Sequence, residues 1–271
     1  VIGEYLSFGH CPRYFKHRAG EITKTKNHSQ GEFTEAFNPL NILLSKAGEE
    51  FEQQVLASVS GNSYLHNCES DEDLFSPNDS QLLFHLRQLQ QSTTDQLVVL
   101  YQPSFAGEIG DWTISGDADF VFLWCVDGSI EVRTIDAKSA EEQKTYHQIQ
   151  AAIYTDLIRQ AIGISELEAD KITFSAGVIT RGSEYSDFTP QSIPSFDFQS
   201  RIVDVRRLLA EDGELNTIRN TDFEDVSYQL DNKCNGCAYN EACVTESFED
   251  GHVRLLGLTE SEQDILHRHG V

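Results

Sequence analysis

The 271-residue chain contains no methionine. A natural cytosolic chain of this length rarely has none, so an internal piece of a longer protein is expected. No run of eighteen apolar residues occurs, which argues against a transmembrane helix. No basic stretch followed by an apolar one opens the chain, so no secretory signal is visible. A cytoplasmic protein with no membrane partner is expected. Basic residues are scarce: 20 Lys and Arg stand against 44 Asp and Glu, a formal charge of −24. Lysine, with eight copies, is rarer than arginine. The basic surface usual for nucleic-acid binders is therefore missing. The acid is spread along the whole chain and not gathered in a tail. Such a surface suits either a basic partner or a salt-rich cytoplasm, where dense acid keeps proteins in solution. The even spread favours the second, a halophilic protein.

What is present is enough for a core, with 39% hydrophobic residues. Residues 1–19 read as a turn or short helix start, and 20–35 as loop. Leu44, Ala47, Phe51 and Val55 fall at helical spacing and predict a helix from Pro39 to about Ser58. Residues 60–80 are turn-rich and acidic. A second helix is predicted from Gln81 to about Gln91, with Leu82, Leu86 and Leu89 inward. The runs "QLVVLYQPSF", "WTISGDADFVFLW" and "SIEVRTIDAK" predict three strands in a meander. A long helix follows and stops at Gly163. "KITFSAGVITR" reads as a strand, and another helix begins near Ser195. This order predicts an α/β fold with a mixed central sheet flanked by helices.

Two stretches carry carboxylates at strand spacing. Residues i and i+2 of a strand share a face, so Asp136 and Lys138 of "TIDAK" project together. Asp117 and Asp119 of "GDAD" do the same on the preceding strand. If the strands pair, carboxylates and one lysine converge at a sheet edge. Such a set suits a hard divalent cation on oxygen ligands and phosphate-ester chemistry beside it. Alone, Asp-x-Lys is usually an exposed surface pair. The context raises it: Glu52 sits on the first predicted helix, and Gln150 and Tyr154 lie four apart on the helix that follows.

Together "GEEFE" (Gly48 to Glu52), "GDAD" (Gly116 to Asp119), "DAK" (Asp136 to Lys138) and "QAAIY" (Gln150 to Tyr154) resemble the PD-(D/E)XK nucleases, in particular the RecB-like branch. The order of the motifs is that of the family. The resemblance implies a restriction-endonuclease-like fold and a metal-dependent deoxyribonuclease acting on single-stranded or end-bearing DNA in repair or recombination, as an exonuclease. It implies Glu52, Asp119 and Asp136 as ligands of Mg²⁺ or Mn²⁺. Lys138 would assist the attacking water, and Gln150 and Tyr154 would lie beside the DNA. Glu stands where many RecB-like nucleases have His, and Glu49 and Glu50 compete with Glu52 for that place.

The cysteines form a second pattern. Residues 234–243, "CNGCAYNEAC", place Cys234, Cys237 and Cys243 as C-x2-C-x5-C. Zinc fits such spacing, and so does an iron–sulfur cluster on four thiolates. Without a secretion signal a disulfide framework is disfavoured. His10 and His252 lie outside the cluster, and Cys11 offers the better fourth ligand. One cysteine before the nuclease core and three after it resemble RecB-like nucleases with a [4Fe–4S] cluster, found also in CRISPR-associated and helicase-linked exonucleases. The resemblance implies that a cluster joins the N- and C-terminal segments, closing a long loop of the unfolded chain. Near Cys11, the residues Arg13, Lys16 and Arg18 suit either phosphate contacts or a solvated helix face that balances the acid.

The resemblance covers residues 1–251. Residues 252–271 read as the start of a small helical module, with Thr259 of "TESE" as a capping box. A helicase or a further nuclease domain in the same longer chain would be the partner. The rival readings are a non-catalytic nucleic-acid-binding module with a degenerate nuclease fold and a zinc-binding interaction domain. Intact Asp119, Asp136 and Lys138 speak against the first.

Overall fold

The computed structural model describes residues 2–27, 39–60, 63–68, 79–91, 97–126, 128–163, 165, 167–182, 190, 192–249, 258 and 260–270. The chain forms two compact units: Lys46–Glu214, and Val1–Ser45 with Leu215–Val271. The boundary at residue 251, the Thr259 cap and His252 lie outside the described residues. No helix among the described residues is long and apolar enough to cross a membrane.

The central unit is built on a six-stranded sheet. Its strands are β1 (Tyr64–Asn67), β2 (Val98–Tyr101), β5 (Phe120–Val126), β6 (Ser129–Lys138), β7 (Ile172–Thr180) and β8 (Ser195–Phe196), side by side in that order. β2 with β5, β5 with β6 and β7 with β8 run antiparallel. β1 with β2 and β6 with β7 run parallel, so the sheet is mixed, as expected. The parallel step from β6 to β7 needs a crossover, and α5 (Thr145–Gly163) supplies it. A separate hairpin pairs β3 (Ser104–Ile109) with β4 (Trp112–Asp117).

The predicted meander of three strands is thus five strands in two sheets. "QLVVLYQPSF" breaks because Gln102 takes a left-handed φ of +50° and Pro103 has no N–H for a ladder. "WTISGDADFVFLW" breaks at Ala118, whose N–H turns to the Pro103 carbonyl at 3.0 Å. β1, inside a segment read as turn-rich, has only four residues, too few for a visible alternation. The helices α3 (Pro39–Ser60) and α4 (Asp79–Gln91) match the predicted ones.

β6 is the middle of the platform, with eight of its residues from Ile130 onward nearly all buried. On one face Ile135 and Ala137 pack with Phe51, Val55 and Val59 of α3. On the other, Thr134 pairs with Ala176, and Ala176 packs against Ala151 and Ala152 of α5. By alternation Asp136 and Lys138 share the Thr134 face. Each fully buried large apolar side chain in these layers contributes about 1.5–3 kcal/mol. The end of β6 is therefore held on both sides. α6 (Phe198–Leu209) lies on α5 and starts at Asp197, whose carboxylate accepts the Gln199 N–H.

The other unit gathers both ends of the chain. It holds α1 (Ile2–Ser7), α2 (Pro12–Asn27), α7 (Glu214–Asn220) from Leu215 onward, α8 (Asn240–Glu249) and α9 (Glu260–Arg268). α2 continues through residues 20–27, which were expected to be loop. Its Arg13 is buried, and that corrects the expectation of a phosphate contact. Nε donates to the Val226 carbonyl at 3.0 Å, and the two terminal nitrogens hold both oxygens of Glu246 at 3.0 and 2.5 Å. The guanidinium also lies over the rings of Phe223 (4.3 Å) and Tyr228 (4.8 Å). All its donors face protein, and removing one partner of such a buried pair costs about 3–5 kcal/mol. Arg13 is a structural clamp. Lys16 donates to the Arg219 carbonyl at 2.9 Å, and Arg18 pairs with Glu4 at 3.2 Å. Both stay partly exposed.

Candidate active site

Asp136 and Lys138 end β6 on one face, as their spacing requires. Lys138 Nζ lies 2.9 Å from Asp136 Oδ1 and 3.7 Å from Asp119 Oδ2. Asp119 stands just before β5, and its Oδ2 accepts the Ala137 N–H at 2.6 Å. The antiparallel pairing of Phe120 with Ile135 brings these positions together. Asp117 was expected on the same face as Asp119, but the break at Ala118 separates them. It accepts instead from the Ser104 hydroxyl across the hairpin.

Glu52 comes from α3, where Phe51 and Val55 fix the helix on the sheet. It is half-buried, whereas Glu49 and Glu50 are exposed, so the helix face selects Glu52 among the three. Burial and the charge of Asp119 raise its pKa, while Gln102 and Lys138 work the other way. Burial likewise raises Asp119 and Asp136, with Lys138 opposing in both. For Lys138, burial disfavours the charge, but Asp136, Asp119 and Glu52 outweigh it and hold the ammonium above its ordinary value. The lysine is therefore a fixed cation, not a base.

Tyr154, two turns into α5, feels the charges of Asp119 and Asp136 and is hydrogen-bonded to Gln150. Burial first, then those carboxylates, keep its phenol protonated. The glycine of "GDAD" has its reason here. A Cβ on Gly116 would stand 2.7 Å from the Tyr154 hydroxyl, so any other residue would have to displace the tyrosine ring.

Asp136 Oδ2 is buried without a hydrogen-bond partner. An orphaned carboxylate oxygen beside two further acids is the donor chemistry that a hard divalent cation takes. Among the described residues, however, no group of three or more His, Cys, Asp or Glu side chains lies in an arrangement that could hold a metal ion. The orphaned oxygen fits a cation, and the remaining acids are placed around it by charge and not by ligand distance.

Two contributors were missed from sequence. Gln102 donates to Glu52 Oε2 at 3.1 Å, and nothing in the sequence announces its left-handed backbone. His147 is buried, and its Nδ1 accepts the N–H of Lys144 at 3.2 Å. It stands at the third position of α5 and does the work of the acidic member of a capping box, a role that a search for Glu or Gln overlooks. Burial, then Lys138 and Lys144, lower its pKa from 6.5 to about 4. As pH falls below 6.5 the unfolded chain takes up this proton first, so the folded state loses stability down to about pH 4. His147→Gln keeps an acceptor and does not titrate. Its melting temperature, followed by circular dichroism, should fall less than that of the wild type between pH 6.5 and 4; equal slopes would remove His147 from the account.

The sequence matches the profile of the PD-(D/E)XK nuclease superfamily over residues 50–244. The chain belongs to the PD-(D/E)XK nuclease superfamily. The matched span contains Glu52, Asp119 before β5, Asp136 and Lys138 of β6 and the α5 pair. No curated protein matches the chain. A solved structure, "Crystal structure of SSO0001", aligns over 74% of this chain and 96% of its own at 15% identity, with a TM-score of 0.27. The assignment rests on the superfamily profile. In this nuclease-superfamily chain the mixed six-stranded sheet flanked by helices agrees with a restriction-endonuclease-like fold.

Four of the six cysteines lie in the unit of the chain ends. Cys11, Cys234, Cys237 and Cys243 are free thiols. Cys234 Sγ accepts the Asp231 N–H and Cys237 Sγ the Tyr239 N–H, both at 3.4 Å. Cys11 receives the N–H groups of Tyr14 and Arg13. Burial first, then the nearby Cys11, Cys237 and Cys234, pushes Cys243 up to about 12. The four sulfurs are thus electrostatic neighbours across more than 200 residues of sequence, and backbone donors aim at three of them. Burial raises the pKa of all four thiols, with the backbone donors at Cys11, Cys234 and Cys237 opposing it, and the sulfurs are not drawn into ligand geometry.

Proposed function

We propose that this chain is a metal-dependent deoxyribonuclease that hydrolyses phosphodiester bonds of single-stranded or end-bearing DNA, as an exonuclease in repair or recombination. The observation that carries the reading is the orphaned Asp136 Oδ2 beside Asp119 and the fixed Lys138 cation, in a chain of the PD-(D/E)XK nuclease superfamily. Asp136, Asp119 and Glu52 would hold Mg²⁺ or Mn²⁺, which supplies Lewis acidity to a phosphate oxygen and acidifies a water. In the hydrolysis, water oxygen bonds to phosphorus, the bond to the leaving sugar oxygen breaks, and one proton leaves the water while one reaches the leaving group. Lys138 donates to the oxygen that gains charge. Protonated Tyr154, with Gln150 behind it, offers a neutral donor to the DNA backbone. Lys16 and Arg18 add phosphate contacts. A helicase or a further nuclease domain of a longer protein would deliver the strand.

The chain ends carry the second half of the proposal. Cys11, Cys234, Cys237 and Cys243 hold a [4Fe–4S] cluster that ties residue 11 to residues 234–243. A brown protein with broad absorption supports the cluster; a colourless protein that carries zinc contradicts it.

The charge of −24 leads to a salt prediction for a halophilic enzyme. At 0.1 M salt the Debye length is about 10 Å, and at 1 M about 3 Å. Salt also weakens each phosphate contact by counterion release. In a basic nuclease the second effect rules. Here self-repulsion is the larger, so stability and cleavage should both rise from about 0.1 M toward molar KCl. Cleavage that falls steadily over this range would assign the acid to a basic partner. The proposal as a whole is tested by cleavage of defined single- and double-stranded DNA with Mg²⁺ or Mn²⁺.

A further inference from the structure

We propose that Gln102 is a positioning residue that sets the place of Glu52 relative to Asp119, and so the affinity of the site for its cation. The inference deepens the metal-dependent reading and rests on it. Gln102 is one of two non-glycine residues among those described with positive φ, at +50°. A side-chain-bearing residue holds that conformation only where its surroundings impose it, and the surroundings here are the acids. Its backbone N–H donates to the Asp119 carbonyl at 3.0 Å, and Ala118 returns a bond to the Pro103 carbonyl at 3.0 Å. The turn between β2 and β3 is thereby stitched to the junction that carries Asp119.

The side chain of the same residue reaches the other acid. Gln102 Nε2 donates to Glu52 Oε2 at 3.1 Å and to the Tyr101 hydroxyl at 3.2 Å. Gln53, next to Glu52 on α3, donates to that hydroxyl at 3.1 Å. Tyr101 is itself buried in the layer between α3 and the sheet. One residue thus bonds the main chain of Asp119 and the carboxylate of Glu52, two acids 67 positions apart in sequence. The left-handed turn is what lets it do both. In an extended conformation the strand would run on, and the amide and the N–H would not have these two partners. Since Gln102 donates a neutral N–H, it holds Glu52 without neutralising it, and the negative charge stays available to a cation.

The test is Mn²⁺ binding to the purified chain, followed by electron paramagnetic resonance of free Mn²⁺ and needing no turnover. Gln102→Asn tolerates a left-handed backbone but is one methylene short of Glu52. It should keep its melting temperature and bind Mn²⁺ about 10- to 100-fold more weakly, the usual loss for an outer-shell partner. Glu52→Gln should also weaken binding, and the double variant should bind no more weakly than Glu52→Gln, because the two act through one contact. If Gln102→Asn does not fold, Gln102→Gly takes the same φ freely and carries the same expectation. Wild-type affinity in the Gln102 variant, with Asp136→Asn and Glu52→Gln weakened, overturns the inference and leaves the metal site standing. Equal binding by wild type and Asp136→Asn overturns the metal site and the inference with it.

Discussion

Asp136→Asn should reduce DNA cleavage by more than the roughly 100-fold that loss of an outer-shell partner costs a metal site, while the sheet stays folded. The substitution is nearly isosteric. It removes a charge from the centre of the site and leaves an oxygen that can still accept from Lys138. Asp136 is 2% exposed, with Oδ1 paired to Lys138 and Oδ2 unpartnered, so the native chain keeps a poorly solvated carboxylate with one oxygen unsatisfied. Burial raises its pKa above the ordinary carboxylate range. The folded state therefore binds a proton that the unfolded state has lost, and stability falls as pH rises through that interval. The asparagine variant cannot titrate there, so its melting temperature should change less with pH through that interval than the wild type's does. A variant that is inactive and equally stable separates loss of the site from loss of the fold. A variant that cleaves at the wild-type rate would show that Asp136 is an ordinary buried acid.

Cys11→Ser should destabilise the protein as much as Cys237→Ser and should strip it of iron, although the two cysteines are far apart in the chain. The argument is topological. A cluster that holds residue 11 and residues 234–243 closes a loop of more than 200 residues in the unfolded chain, and the cost of loop closure grows with loop length. A cross-link on that scale is worth about 5.4 kcal/mol by the chain-entropy account. Cys68→Ser is the control, since Cys68 is buried beside β1, its thiol directed at the His66 carbonyl at 4.0 Å, and belongs to the other unit. Iron content and melting temperature read the outcome. Full iron in Cys11→Ser would move the fourth ligand to another residue.

The parts that could be read from sequence are those set by short-range periodicity. The Asp136–Lys138 pair follows from the two-residue repeat of a strand, and the α3 face from Phe51 and Val55. The mixed sheet followed from the order of elements. What could not be read depends on contacts between distant positions. Arg13 looked like a phosphate ligand because its partners, Glu246, Phe223 and Tyr228, come from the far end of the chain. Asp117 and Asp119 looked like a matched pair because the break at Ala118 is made by a bond to Pro103. Gln102 carries no recognisable signature, since its role lies in one dihedral angle and in the reach to Glu52. Gly116 was legible as part of a motif, but its reason, the passage of Tyr154, became visible only in three dimensions.

The central claim is that the acids before β5 and at the end of β6, with Lys138, hydrolyse DNA with a divalent cation. It is tested most directly by cleavage of end-labelled single-stranded and duplex DNA at molar KCl, with Mn²⁺, with Mg²⁺ and with chelator, by wild type and Asp119→Asn in parallel. Shortened products that require the cation and are absent from the Asp119→Asn reaction are predicted. The same products from Asp119→Asn, or none from a wild type that binds Mn²⁺, would contradict it.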